Sequence, residues 1–259
     1  DVGIANGRIA VVADACSLPA RHEVEAAGRV LAPGFIDAHT HDDAVAIDRP
    51  EMTPKITQGV TTVIVGNCGI SASPVSLRQA TPPDPLNLLG GVERFRYPTF
   101  RAWTEAVNAA QPACNIAAFV GHTALRANHM DRFDRPATAA EIAAMTGQLR
   151  EALNHGALGL STGLAYPNAG HAPTEEIITL AGPLAAAGGL YCTHLRTEGD
   201  GIIEALDEAF RIGREVGVPV LVSHLKCAGV ANWGRSGEVL AAVEAASAGQ
   251  AVGCDCYPY

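Results

Sequence analysis

The stretch from Pro33 to Asp43, PGFIDAHTHDD, decides how the rest of the chain is interpreted. A Pro-Gly turn signal precedes a short apolar run, which indicates a buried strand, and His39 and His41 stand at the far end of that run. Because side chains two positions apart on a strand share one face, both imidazoles can reach one metal ion. Alternating histidines also occur as hydrogen-bonded structural residues, so the pair alone leaves ligation open.

Three further residues with ligand side chains, Cys68, His194 and His224, also stand at the ends of apolar, strand-like runs. Taken singly, each is as compatible with a structural role as with metal binding, and a free cysteine often does no more than pack. Five thiol and imidazole groups in the same structural position are hard to explain by packing. They favour a zinc site that keeps an open position for water.

From residue 33 onward, short apolar runs alternate with stretches of helical periodicity. Repeats of this length predict parallel strands joined by helical crossovers, and the polar side chains collect after the strands, where α/β barrels build their sites. We predict a (β/α)8 TIM-type barrel rather than a doubly wound sheet, because no glycine-rich phosphate-binding loop follows any strand. The predicted strands are 34–38, 60–65, 115–120, 157–161, 189–193, 218–223 and 250–254, and the predicted helices are 51–58, 100–110, 138–155 (opened by a Thr138–Glu141 capping box), 174–187, 201–216 and 237–248.

Residues 1–32 are predicted to form an N-terminal piece of a small β domain. Asn6-Gly7 supplies the positive φ angles of a hairpin turn ahead of a strand at 8–12, and short strands are predicted at 22–26 and 29–32. The barrel domain is predicted to span 33–259. Only seven of its strands are visible in the sequence, so we expect the chain to be a fragment, truncated before the eighth strand.

The composition favours a globular protein that acts on a small molecule. A net charge of −9, a pI near 5.4 and the absence of a Lys/Arg-rich run argue against nucleic-acid and anionic-membrane partners. The seven cysteines are odd in number and widely spaced, which suits reduced thiols in the cytoplasm. No apolar stretch approaches the roughly 18 residues of a membrane span.

The segment 70–98 is rich in Pro, Gly and Ser and has no clear periodicity, so it is predicted to be a long loop after the second strand. Loops of this size at the active face often cover a site. A surface excursion without a function is the equally open alternative.

Six motifs in chain order resemble the D-aminoacylase branch, the N-acyl-D-amino-acid deacylases, of the metal-dependent amidohydrolase superfamily. They are GFIDAHTHDD at 34–43, GNCG at 66–69, STGLAYP at 161–167, CTHLR at 192–196, SHLK at 223–226 and CDCYPY at 254–259. Many members of the superfamily bridge two metals with a lysine on the fourth strand, whereas this fourth strand ends in Ser161-Thr162-Gly163. In the branch, a cysteine at the place of Cys68 replaces that lysine. The resemblance implies five metal ligands, which are His39, His41, Cys68, His194 and His224.

The resemblance also implies that Tyr166, Lys226 and Tyr257 line the substrate pocket. For Lys226 the position agrees, because a cation two residues beyond His224 is well placed to meet a substrate carboxylate. The two tyrosines are otherwise as compatible with packing at the rim. The superfamily does not use the third strand for ligation, so His122 is interpreted as structural or as supporting the ligands. The three aspartates around the first motif's histidines either orient imidazole N–H groups or are simply polar strand-end residues; they are Asp37, Asp42 and Asp43.

The reaction that the resemblance implies is zinc-dependent hydrolysis of an N-acyl-D-amino acid to a carboxylate and a free D-amino acid, with one tightly bound zinc and room for a second. The aspartate that moves the proton belongs to the eighth strand, so it is expected beyond Tyr259, and the fragment itself is expected to be inactive. Asp255 cannot be assumed to replace it. A hydantoinase-like cyclic amidase and a non-catalytic metal-binding module stay open as alternatives. The oligomeric state and the preferred D-amino-acid side chain are not predicted.

Overall fold

The computed structural model describes residues 1–14, 19–77 and 80–257. The chain divides into two compact units, Asp1–Pro33 and Gly34–Tyr259. Pro258 and Tyr259, which end the CDCYPY motif, lie outside the described residues. All of the predicted ligands and substrate-contacting residues belong to the second unit.

The first unit contains the predicted hairpin, formed by β1 (Val2–Ala5) and antiparallel β2 (Arg8–Val12). The turn residues Asn6 and Gly7 have φ angles of 53° and 71°, as a two-residue turn of this type requires. The strands predicted at 22–26 and 29–32 are wrong, because no strand lies there among the described residues of the unit. The apolar side chains in these two stretches are not buried, since Val24 and Val30 are 88% and 92% exposed. A strand is stabilised mainly by packing of its side chains against neighbouring strands, and these side chains lack that packing.

Parallel strands run through the second unit in chain order. They are β3 Phe35–Asp37, β4 Val60–Val65, β5 Asn115–Ala118, β6 Val120–Gly121, β7 Gly159–Gly163, β8 Leu190–His194, β9 Val220–Val222 and β10 Val252–Cys254. β4 is VTTVIV, entirely β-branched, which suits a strand covered on both faces. One sheet has the order β3-β4-β5 and the other the order β10-β9-β8-β7-β6, and every pair in them is parallel. The predicted α/β class is confirmed.

The two sheets are joined at Phe119, the single residue between β5 and β6. Its N–H donates to the carbonyl of Val65 in β4 at 3.0 Å, while β6 pairs with β7. The predicted strand 115–120 is therefore one extended path that changes its hydrogen-bonding partner. Among the described strands, β3 and β10 each have a neighbour on one side only, so the strands do not close into a barrel.

Helices lie between the strands and cover them. They are α1 Val45–Asp48, α2 Thr53–Ile56, α3 Phe100–Ala110, α4 His122–His129, α5 Ala139–Asn154, α6 Pro167–Gly170, α7 Thr174–Ala181, α8 Leu184–Ala187, α9 Ile202–Val216 and α10 Ser236–Ser247, with 3-10 turns at Leu86–Leu89, Val92–Arg94 and Val230–Asn232. α5 begins at the predicted capping box, in which the Thr138 hydroxyl accepts from Glu141 N–H and the Glu141 carboxylate accepts from Thr138 N–H. None of the helices in the described part of the chain is long and apolar enough to cross a membrane.

Two helix predictions need correction, and the eight-residue helix α4 was missed. The predicted helix 174–187 is two helices, because Pro183 cannot donate a backbone hydrogen bond and the chain breaks at Gly182-Pro183. The predicted helix 51–58 is shortened to α2, since Met52 has a left-handed φ of 40°. α4 was not predicted at all, and it opens at His122.

The core lies between the strands and the covering helices. Leu160 and Tyr191 on the strands and Leu149 and Leu206 on the helices have no exposed surface. Burying a side chain of this size stabilises the fold by about 1.5–3 kcal/mol. This packing holds the carboxyl ends of the strands in fixed positions relative to one another.

The segment 70–98, of which residues 78–79 lie outside the description, is not a surface excursion. Its buried side chains Ile70, Val75 and Leu86 form a second apolar cluster that also contains Cys68, and Tyr166 packs against that cluster. The long loop therefore packs directly behind one of the predicted ligands.

Candidate metal centre

The five predicted ligands lie at the carboxyl ends of four strands. His39 and His41 follow β3, Cys68 follows β4, His194 is the last residue of β8 and His224 follows β9. Because the strands are parallel, these ends meet at the same edge, which is where α/β barrels place their sites.

Cys68 lies between two imidazoles. Its Sγ is 3.2 Å from Nε2 of His39 and 3.5 Å from Nε2 of His224, and the ligand atoms of the three residues all lie within 4.8 Å of one another. Cys68 is 1% exposed and His224 9% exposed, so the cluster lies largely away from solvent. A thiol and two imidazoles in this proximity are a donor set that suits zinc.

The backbone at the cluster is held in an unusual conformation. Cys68 and His224 both have left-handed φ angles, 56° and 37°, which cost about 1–3 kcal/mol each in residues other than glycine. Gly66 makes the approach to Cys68 possible, because its φ is +76° and a Cβ there would lie 2.2 Å from the carbonyl oxygen of Phe119. The GNCG motif thus turns the chain sharply so that the Cys68 thiol faces the histidines.

His41 and His194 complete a group of four imidazoles. The ring centroids of His39 and His41 are 5.6 Å apart, and those of His194 and His224 are 4.4 Å apart. In both His41 and His194, Nδ1 is buried and has no hydrogen-bond partner within the described part of the chain. Two buried nitrogens in this state fit a site that completes its bonding with a metal ion.

The electrostatics keep His41 and His194 neutral near pH 7. Burial, together with the neighbouring His39 and His224, lowers the pKa of His41 to about 4. Burial likewise lowers the pKa of His194 to about 4, aided by His224. A neutral imidazole has the free lone pair that metal ligation requires.

Burial raises the pKa of the Cys68 thiol well above its usual range, although a hydrogen bond with Tyr166 opposes this. The thiol alone would therefore stay protonated. A coordinated divalent cation reverses this preference, because metal binding deprotonates a thiol outright.

Two carboxylates that were not predicted as part of the site contact the imidazoles. Nδ1 of His39 is 3.2 Å from Oδ1 of Asp255, and the backbone N–H of His224 donates to the same carboxylate at 2.7 Å. Nδ1 of His224 is 2.9 Å from Oε1 of Glu198. Burial opposes ionisation of Asp255, but the hydrogen bonds from His39 and His224 outweigh it and lower the pKa of the carboxyl. The only sequence signals were an acid directly after β10 and an acid four residues after His194.

His194, Glu198 and His224 also bring one ligand atom each within 4.8 Å. The nitrogen of His224 that faces Glu198 is Nδ1, whereas Nε2 faces Cys68. A carboxylate opposite the second ring nitrogen is the usual arrangement for orienting a ligand histidine. We therefore interpret Glu198 as a partner of His224 rather than as a member of a separate site.

The three predicted substrate-contacting residues lie at the same end of the strands. The Tyr166 ring is 4.9 Å from the His194 ring, and the Tyr257 ring is 6.0 Å from the His224 ring. Nζ of Lys226 is 2.5 Å from Oε1 of Glu198 and lies 5.2 Å from the centre of the Tyr257 ring. The ion pair with Glu198 raises the pKa of Lys226 although burial opposes this, so the residue offers a fixed positive charge beside the histidines.

The remaining polar candidates have other partners. Asp37 and Asp42 lie 2.7 Å and 3.1 Å from the ammonium of Lys55, and Asp43 accepts from the backbone N–H of Ala72 at 3.1 Å. Burial raises the pKa of Asp43 to about 7. These contacts brace the loop after β3, and no imidazole is among the hydrogen-bonding partners that the structure describes for the three side chains.

His122 belongs to a separate buried cluster. Its Nε2 is 3.0 Å from Oε1 of Glu176, which also accepts from Arg126 at 2.6 Å. Its hydrogen-bond partner is on α7 rather than in the group of imidazoles. The interpretation of His122 as structural agrees with this position.

A cleft of about 600 Å3 is lined by residues that include His171, Thr174, Arg196 and Glu208. None of the five predicted metal ligands is among its lining residues. The Arg196 guanidinium group in this cleft already donates hydrogen bonds to Glu208 and to the backbone carbonyls of Gly170 and Ala172. The cleft thus offers few free polar groups for a ligand.

Comparison with known proteins agrees with this arrangement. A D-aminoacylase of Alcaligenes xylosoxydans xylosoxydans is 51% identical over 259 residues, which are 100% of this chain and 53% of that protein. A solved D-aminoacylase structure, from work on its binuclear metal centre, superposes with a TM-score of 0.96 at 52% identity and covers 100% of this chain and 54% of its own. N-acyl-D-glutamate deacylase from Bordetella bronchiseptica, in complex with zinc and a phosphonate inhibitor, gives a TM-score of 0.93 at 42% identity with the same coverage of 100% and 54%. The chain spans about half the length of the relatives it matches.

The predicted resemblance to D-aminoacylases is therefore confirmed. The model of the amidohydrolase family matches residues 22–251, which include all five predicted ligands. On this match, the chain belongs to the amidohydrolase family.

Proposed function

We propose that the whole protein is a zinc-dependent hydrolase of N-acyl-D-amino acids, releasing a carboxylate and a free D-amino acid. The observation that carries the proposal is the meeting of Cys68 with Nε2 of both His39 and His224 at the ends of three parallel strands. It occurs in a chain that is about half identical, over its full length, to a D-aminoacylase.

The metal would be held by His39, His41, Cys68, His194 and His224. A thiolate among imidazoles favours zinc over magnesium or calcium, which prefer oxygen ligands. When bound, zinc activates a water molecule and polarises the carbonyl of the amide. The same five side chains would serve one metal or two, and the Cys68 thiol lies beside Nε2 of both His39 and His224.

Lys226 would hold the carboxylate of the substrate. An N-acyl amino acid brings one negative charge. Of the two lysines in the chain, Lys55 is paired with Asp37 and Asp42, whereas Lys226, which is paired with Glu198, lies beside His224. Its ammonium is 3.3 Å from the backbone carbonyl of His224, so a carboxylate bound there would place the acyl group over the histidines. Tyr166 and Tyr257 flank the same space and would exclude water from it.

The barrel would be closed by an eighth strand between β3 and β10. Both strands have a free edge among the described residues, and at the site the two edges approach closely enough for Asp255 after β10 to contact His39 after β3 at 3.2 Å. The group that moves the proton would belong to that strand. Asp255 does not fit this role, because its carboxylate is engaged by His39 and by the backbone of His224.

The test is hydrolysis of N-acetyl-D-leucine and N-acetyl-L-leucine by the full-length protein, followed by detection of the free amino acid. We expect turnover of the D enantiomer. A preference for the L enantiomer would overturn the proposal. Turnover of hydantoins without turnover of acylated D-amino acids would instead identify a cyclic amidase, the alternative within the same family.

A further inference from the structure

Asp255, which follows β10 at the edge of one sheet, contacts His39, which follows β3 at the edge of the other sheet. Its carboxylate oxygens are 3.2 Å and 3.3 Å from Nδ1 of His39, a residue 216 positions earlier in the chain. Its own backbone is fixed, because its N–H donates to Val222 at 3.0 Å and its carbonyl accepts from Leu225 at 2.9 Å. The carboxylate is therefore presented to His39 from a rigid position.

The contact with His39 selects one tautomer of the imidazole. An ionised carboxylate only accepts hydrogen bonds, so Nδ1 of His39 must carry the proton that it donates to Asp255. Nε2 is then the nitrogen with the free lone pair, and Nε2 is the atom that faces Cys68 at 3.2 Å. The opposite tautomer would direct an N–H toward the Cys68 thiol and leave Nε2 without the lone pair that ligation requires.

The same carboxylate supports His224. Oδ1 of Asp255 accepts the backbone N–H of His224 at 2.7 Å, and this residue has a strained φ of 37°. A strained conformation persists only where the surroundings fix it, and a short bond to an anion is such a restraint. One side chain thus acts on two of the three members of the His39–Cys68–His224 cluster.

We propose that Asp255 is a positioning residue of the metal centre. It fixes the Nδ1–H tautomer of His39 and the backbone turn of His224, so that both Nε2 atoms point at the site beside Cys68. This inference rests on the proposed metal-dependent function. It concerns how tightly the site is prepared and assigns Asp255 no part in the transfer of the substrate proton.

An asparagine at position 255 gives a sharp test, because it keeps the size of the side chain and changes its hydrogen bonding. The amide oxygen would still accept a hydrogen bond from the backbone N–H of His224, because a backbone N–H can only donate. The amide nitrogen would then replace Oδ2 and offer a proton to Nδ1 of His39. Asp255→Asn is therefore expected to favour the wrong tautomer without leaving a cavity.

The first measurement is the tautomer of His39 in the metal-free, 15N-labelled full-length protein, from the ring-nitrogen shifts and their couplings in NMR. We expect the proton on Nδ1 in the wild type and on Nε2 in Asp255→Asn. A wild-type His39 with its proton on Nε2 would overturn the inference directly, whatever the variants do.

The second measurement is zinc affinity by competition with a chromophoric chelator. Partners of ligand histidines typically change affinity by about 10–100-fold, and we expect a loss of that size in Asp255→Asn and Asp255→Ala. Asp200→Asn is the matched control, since Asp200 is exposed and bonds to Asn232 rather than to an imidazole; its affinity should equal that of the wild type. Unchanged affinity in both Asp255 variants would refute the positioning role. If the wild type itself held no zinc, the proposed function would fail, and the tautomer of His39 would still decide the role of Asp255.

Discussion

Nε2 of His39 lies 3.2 Å from Sγ of Cys68, although the two residues are 29 positions apart. They meet because β3 and β4 are adjacent parallel strands, with Asp37 in register with Val63. Each residue stands shortly after the end of its strand, so the strand pairing sets the distance between the imidazole and the thiol. The fold thus prepares the site before any ligand is bound.

Lys226→Met in the full-length protein should lower kcat/KM for N-acyl-D-amino acids by about 10–100-fold. A hydrogen bond between charged groups contributes roughly 1.5–3 kcal/mol, and the substitution also leaves Glu198 without the ammonium group that lies 2.5 Å from its Oε1. Zinc content should not change. Lys226→Arg, which keeps the charge, should lose less, and a Lys226→Met variant with wild-type kinetics would remove the residue from the substrate site.

Glu176→Gln should destabilise the protein by about 3 kcal/mol at pH 7. Burial opposes ionisation of Glu176, but its bonds with His122 and Arg126 lower the pKa to about 2. Because the folded-state pKa lies below the unfolded one, the stabilisation is complete above about pH 4.5 and is lost as the pH falls toward 2. Urea unfolding of wild type and variant should therefore differ at pH 7 and converge at low pH.

Glu175→Gln is the control for this prediction. Glu175 is the neighbouring residue, but its side chain is 67% exposed and pairs with Arg211 at the surface. Its loss should leave the free energy of unfolding almost unchanged, because an exposed ion pair contributes little to stability. Equal changes in the free energy of unfolding for the two substitutions would mean that the buried cluster of Glu176, His122 and Arg126 stabilises the fold no more than a surface ion pair does.

The secondary structure was largely predictable because its signals are local. The hairpin at Asn6-Gly7, the β-branched strand Val60–Val65 and the capping box at Thr138 each depend on a few adjacent residues. The errors arose where a local periodic pattern was interrupted by a single residue, or where a strand needed a partner that the local sequence does not reveal. Pro183 interrupts an otherwise continuous helical period, and Val24 stays 88% exposed and pairs with no strand among the described residues.

The partners of the candidate ligands could not be predicted for a different reason. Histidines and cysteines after apolar runs are visible in the sequence, but the carboxylate that contacts His39 is 216 positions away, and an acid after a strand is common. Asp255 reaches His39 only because β10 and β3, each at the edge of its sheet, end close to each other in the fold. Glu198 was missed likewise, since its contacts with His224 and Lys226 depend on the loop after β8.

Gly163→Ala should disturb the site through packing alone. A Cβ at this position would lie 2.3 Å from the carbonyl oxygen of Cys68 and 2.6 Å from the Tyr166 ring. We expect a loss of about 1–3 kcal/mol in the free energy of unfolding, together with weaker zinc binding, because Cys68 must move. Gly147→Ala is the matched substitution, in the interior of α5 with open space around it. It should stabilise the protein by about 0.5–1 kcal/mol in urea unfolding and leave zinc binding unchanged.

Zinc content per chain, measured on the purified full-length protein after dialysis against a weak chelator, tests the central claim that Cys68 holds a metal ion together with the histidines. Cys68→Ser is compared with Cys192→Ser, which alters another buried thiol whose Sγ lies 3.3 Å from the hydroxyl of Ser223. We expect the wild type and Cys192→Ser to retain tightly bound zinc and Cys68→Ser to lose most of it, with affinity reduced at least about tenfold, since even the partners of ligands change affinity by that factor. Equal zinc content in all three proteins would contradict the account.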